Sequence, residues 1–209
     1  MIEVVNVTKK FGDFTAIQDL NFKVSDGSIY GLIGYNGAGK TTLLKTITGV
    51  YKPDGGEVRL DGENAFDNAK MKQHMFYVPD DIYFAPYANM EKMAKFYNGF
   101  YPDFSFDTFR KLSEVFGLDT KARINGFSKG MQRQAEIVLG ISTKPDFILF
   151  DETFDGRDPA KRALIKNLLN EYILIFSTKS FGYKKKLIIP RNIFKNEEEI
   201  NKFIEKITI

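Results

Sequence analysis

The sequence predicts an α/β fold, with a mostly parallel sheet, an N-terminal antiparallel β subdomain and an inserted α-helical subdomain. Three observations carry that expectation. Fully apolar runs such as "FILF" and "YILIF" alternate with helical patterns, as strands covered on both faces require. Residues 1 to 33 instead alternate polar and apolar positions between turn signals. Between residues 80 and 126 the period changes to that of helices.

In chain order, "IEVVNV", "FTAIQDLNFKV" and "SIYGLIG" read as strands, parted by turns at Gly12-Asp13 and Asp26-Gly27. From Thr41 a helix follows, with Leu43, Leu44 and Ile47 on one face and Gly49 as its stop. "KPDGGEVRLDG" reads as turn, strand and turn, and "MFYVP" as a further strand. Met90, Met93, Ala94 and Tyr97 fall at i, i+3, i+4, i+7, and Phe109, Leu112 and Phe116 form a second stripe closed by Gly117. Both stripes read as core. After Phe127 come a helix from about Lys129, the strand "DFILF", a helix opening at Pro159 and the strand "YILIF". "NEEEINKFIEKI" reads as a terminal helix capped by Asn196, with glutamates in its first turn.

Composition narrows the function. The 209 residues, 43% of them hydrophobic, suffice for one domain spanning 1–209: a core of 1–79 and 127–209 with 80–126 inserted. A net charge of +3, from 30 basic and 27 acidic residues scattered along the chain, argues against a nucleic-acid partner. The basic run Lys184 to Lys186 reads as a solvated turn. With no cysteine, disulfides and thiol chemistry are excluded. No apolar run approaches the roughly 18 residues of a membrane span, and "MIEVVNVTKKFG" lacks a signal-peptide core. A cytosolic protein is expected.

The stretch "GLIGYNGAGKTTLLKTITG" carries the strongest chemical signal. Gly34, Gly39, Lys40 and Thr41 match G-x-x-x-x-G-K-[ST], with Gly37 as a further glycine, between a strand and a helix as the motif demands. Glycine lets the backbone curl until its N–H groups face phosphate oxygens. Lys40 would reach the β and γ phosphates, the Thr41 hydroxyl would bind Mg²⁺, and the helix would add its positive dipole end to the same phosphate anion. The core is therefore read as a P-loop NTPase. At "FILFDE" a buried strand delivers Asp151 and Glu152 to its end: Asp151 to hold Mg²⁺ through water, Glu152 to orient or deprotonate the attacking water. In "FSKGMQRQAEIVLG", Ser128 caps a helix, and with the Lys129 and Gly130 amides it makes a second anion site. Two such ends on one chain suggest a nucleotide held between two subunits.

From about residue 3 to residue 178 this ordered set resembles the ATP-binding subunit of ABC transporters, and the arm sequence "FYPDFSF" is similar to bacterial export-type members. "GYNGAGKTT" looks like the family's Walker A, which implies that Gly34, Tyr35, Asn36, Gly37, Ala38, Gly39, Lys40, Thr41 and Thr42 wrap the phosphates of ATP. "FILFDE" looks like Walker B. "FSKGM" looks like the signature usually written L-S-G-G-Q, keeping the serine and the second glycine. Phe11 in "KKFG" corresponds to the aromatic that stacks on adenine. Asp158 falls where the family has its D-loop aspartate. Asp80 stands in place of the Q-loop glutamine, an oxygen ligand still able to meet Mg²⁺ or water. Lys179 stands where the switch histidine is expected; it can donate to the γ-phosphate but cannot shuttle a proton, which implies slow hydrolysis. The only histidine, His74, reads as structural. The tail from Ser180 is read as lacking the helix and strands that normally follow the switch.

The resemblance implies an ATPase peripheral to the inner face of the membrane, a homodimer or a heterodimer with a second ATPase subunit, docked under membrane-spanning permease subunits through the 80–126 arm. Glu152, Lys40 and Asp80 are its expected catalytic residues, and Thr41, Asp80 and Asp151 its Mg²⁺ ligands. The alternatives are a nucleotide-binding regulatory module that hydrolyses little, another P-loop enzyme such as a small-molecule kinase, and a soluble ABC ATPase acting on ribosomes or DNA.

Overall fold

A computed structural model describes residues 1–26, 28–33, 36–151, 173–178 and 187–190. They form two sheets. In the first, β1 (Ile2–Phe11) pairs antiparallel with β2 (Phe14–Val24) and with β4 (Gly55–Leu60), and β4 pairs with the short β5 (Glu63–Asn64), giving the order β2-β1-β4-β5. In the second the order is β6-β7-β8-β3-β9, built from β3 (Ser28–Ile33), β6 (Met75–Val78), β7 (Phe147–Phe150), β8 (Ile173–Thr178) and β9 (Leu187–Pro190). β6, β7, β8 and β3 run parallel, and β9 pairs antiparallel with β3. The antiparallel N-terminal sheet and the mostly parallel second sheet are the expected α/β architecture. β9 corrects the reading of the tail, because Leu187–Pro190 continues the sheet after the "ILIFST" strand. The predicted helices at Pro159 and Asn196 lie outside the described residues.

The strands β6 and β7 divide their side chains between two cores, following the period of two of a strand. Met75, Phe147 and Leu149 join one cluster with Leu43, Leu44 and Ile47 of α1 (Lys40–Ile47) and with Ile2, Val4 and Leu60 of the first sheet. Phe76, Val78, Ile148 and Phe150 join the other, with Ala135, Ile137, Val138, Leu139 and Ile141 of α5 (Lys129–Ser142). Burial on both faces is why these strands are apolar without interruption. Gly140 brings α5 onto β6, since a Cβ there would lie 2.5 Å from the Phe76 ring.

Between β6 and α5 the chain forms α3 (Met90–Asn98) and α4 (Phe106–Val115), and the short α2 (Ala69–Lys72) precedes β6. Asn89 caps α3 by accepting from Lys92 N at 2.9 Å, and Ser105 caps α4 by accepting from Thr108 N at 3.1 Å. Met90, Ala94, Phe109 and Leu112 are buried in the α5-side core, with Met93, Tyr97 and Phe116 packed against it, as the stripes predict. Ser105 N also donates to Ser142 O at 2.7 Å, tying the start of α4 to the end of α5. His74 is structural: its carbonyl accepts from Asp146 N and Phe147 N, and its Nδ1 sits 2.7 Å from Asp146 Oδ2 at the entry to β7.

Candidate functional site

The parallel register brings the predicted segments to one edge. Val78 pairs with Phe150, Phe150 with Phe176, and Phe176 with Gly31, so the strands leave the sheet at their carboxyl ends side by side. The glycine loop follows β3, Asp151 follows β7, and Pro79 and Asp80 follow β6. Ligands of open α/β sheets bind at this edge. Lys179 follows β8 in the chain but lies outside the described residues, as do Gly34, Tyr35, Glu152 and Asp158.

In the loop, Gly37 and Gly39 take φ values of 79° and 85°, the left-handed region that side chains avoid. At Gly39 the constraint is doubled, because a Cβ would lie 2.6 Å from the Ala16 carbonyl oxygen. α1 begins at once: Leu43 N donates to Gly39 O at 2.8 Å, and the first amides of any helix lack partners within it. Asn36, Gly37, Ala38 and Thr41 are exposed and Lys40 and Thr42 half-buried, a concentration of donors facing outward at the positive end of a helix dipole.

Phe11 ends β1 with its ring 45% exposed. Tyr51 meets it edge-on, centroids 5.4 Å apart, and Lys9 Nζ lies 5.4 Å from the ring centre. Asp54 ties this corner together, accepting from Lys10 N at 2.6 Å and from Lys9 Nζ at 2.9 Å; those two bonds hold its carboxyl below the usual range. An exposed aromatic face held from behind suits stacking on a flat base.

Asp151 is 1% exposed. Its amide donates to Val78 O at 2.9 Å, and its Oδ2 accepts from the Tyr77 hydroxyl at 3.1 Å. Burial first, then the adjacent Asp151 charge, raises the Tyr77 pKa, so the phenol stays a donor.

Asp80 stands against α5. The Arg133 guanidinium donates to the carbonyls of Pro79 and Asp80 and lies 3.7 Å from the Asp80 carboxylate. Burial lowers the Arg133 pKa, opposed by the charges of Asp80, Glu136 and Asp151. One turn further on, Glu136 is only 6% exposed, and burial pushes its carboxyl up to about 7. At the start of the same helix, Ser128 accepts from Met131 N at 3.3 Å, and Ser128, Lys129 and Gly130 are exposed. That end is capped yet open, as a second anion site needs.

Residues 17–155 match the ABC transporter family. The chain belongs to that family. Among its ABC relatives, it is 32% identical to the probable multidrug ABC transporter ATP-binding protein YbhF of Escherichia coli (strain K12) over 170 residues, 78% of this chain and 29% of that protein. It is 33% identical to the bacitracin transport ATP-binding protein BcrA of Enterococcus faecalis over 182 residues, 82% of this chain and 56% of that one. The chain thus spans well under two thirds of these relatives. Among ABC structures, it resembles an ATP-binding subunit of an ABC transporter with a TM-score of 0.78 at 25% identity, covering 85% of this chain and 78% of that one. It shares the fold of the dimeric MJ0796, a bacterial ABC transporter cassette, with a TM-score of 0.75 at 23% identity, covering 86% and 88%.

Against this ABC framework, Tyr77, Arg133, Glu136 and Tyr51 escaped the sequence reading. A polar tip in the otherwise apolar "MFYV" and an acid inside "AEIVLGI" were the available signals. Their partners lie on other elements, where spacing along the chain says nothing.

Proposed function

We propose that the chain is the ATP-binding and ATP-hydrolysing subunit of an ABC transporter, working as a two-fold dimer under separate membrane-spanning subunits. The observation that carries this reading is the shared edge, where a glycine turn closed to any Cβ at Gly39 opens α1 and a buried carboxylate ends the neighbouring region of the sheet. Backbone amides from Asn36 to Thr42 and the Lys40 ammonium would bind the triphosphate, and Phe11 would stack on the base. Mg²⁺ fits the donor set: it takes one or two protein oxygens beside substrate phosphates, and Thr41 and Asp151 supply them, with Asp80 a third candidate. When bound, it would offset charge on the phosphoryl oxygens. Glu152 would orient or deprotonate the attacking water. Ser128, Lys129 and Gly130 would reach the nucleotide of the partner copy, an isologous arrangement. The 80–126 arm would contact the permease, so that closure on ATP moves the membrane subunits. Among the described residues no helix is long and apolar enough to cross a membrane.

The test is a pair of variants. Glu152→Gln should bind ATP and dimerise with turnover lost, and adding Ser128→Arg should leave monomer binding while preventing the ATP-dependent dimer. A normal dimer in the double variant would remove the shared site, and unchanged turnover in Glu152→Gln would remove its catalytic role.

A further inference from the structure

We infer that Tyr77 is a positioning residue for the magnesium-facing carboxylate of Asp151, an inference that rests on the magnesium–ATP reading above. β6 holds Asp151 at two points. Val78 O accepts the Asp151 amide at 2.9 Å, and the Tyr77 hydroxyl donates to Asp151 Oδ2 at 3.1 Å. The strands are in parallel register, Tyr77 opposite Leu149, so the phenol reaches along the sheet edge to the residue just past β7. Its ring packs against the α1-side core, which fixes where the hydroxyl sits.

The carboxylate is 1% exposed, so water is poorly placed to replace a lost donor. A carboxylate offers about four acceptor sites, enough to take the phenol and a metal-bound water together. Donation at Oδ2 is therefore compatible with a metal-bound water on the same carboxylate, and it restrains the plane in which that carboxylate lies. Outer partners of this kind orient metal-facing oxygens.

Tyr77→Phe removes one oxygen and keeps the ring. The measurement is the ATP dissociation constant of the purified chain, with Mg²⁺ and again with EDTA. The variant should keep its affinity in EDTA and lose about tenfold in the affinity gained from Mg²⁺. An equal Mg²⁺ gain in both proteins overturns the inference and leaves the nucleotide reading standing. Equal loss with and without Mg²⁺ marks a merely structural role and also overturns it. A wild-type chain that binds ATP no better with Mg²⁺ than with EDTA overturns the magnesium reading itself.

Discussion

Glu136 shows how much a single residue can conceal. In sequence it is one acid in an apolar helix; in the fold it is nearly buried, facing Arg133 on its own helix, with Tyr97 and Tyr101 in electrostatic range from α3 and the turn after it. Burial raises its carboxyl from 4.5 to about 7. Between those values the folded chain holds a proton that the unfolded chain has released, so this group makes stability fall as pH rises through the window. Above it the penalty is complete, about 3 kcal/mol by linkage. Glu136→Gln should therefore raise the thermal midpoint at pH 8, with the gain shrinking towards pH 4.5. A difference that does not vary with pH would contradict the assignment. Local backbone demands such as Gly39 were legible in the sequence because the motif itself encodes them. Contacts such as Tyr77 with Asp151, 74 positions apart, depend on strand register and were not.

Among the elements, α5 links most of the site. Its first turn presents Ser128 to Gly130, its second places Arg133 on the Pro79 and Asp80 carbonyls, and its later turns pack Gly140 onto Phe76. Stop signals end it: Lys144 takes φ 55° and Pro145 follows. A Gly→Ala change in an open helix stabilises by about 0.5–1 kcal/mol. Here the new Cβ would meet the Phe76 ring at 2.5 Å, so Gly140→Ala should instead destabilise by about 1–3 kcal/mol in a denaturant titration. A higher midpoint would show that α5 does not sit so close. Helices and caps were legible because periodicity and capping are local. β9 was not, because four residues of apolar sequence acquire strand character only from the edge of β3 that they meet.

At the scale of the molecule, two cores flank one sheet and leave a single carboxyl edge where the loops gather. The alternation of apolar strands with helices announced this architecture, and membership of the ABC transporter family agrees with it. The central claim is that this edge holds a triphosphate through the Gly37–Thr41 turn. Equilibrium binding of labelled ATP with Mg²⁺ tests it most directly, comparing the wild-type chain with Lys40→Ala. The account predicts saturable binding by the wild type and none of comparable tightness by the variant, which loses a charge-assisted contact to phosphate. Undiminished binding by Lys40→Ala, or no saturation by the wild type, would contradict it.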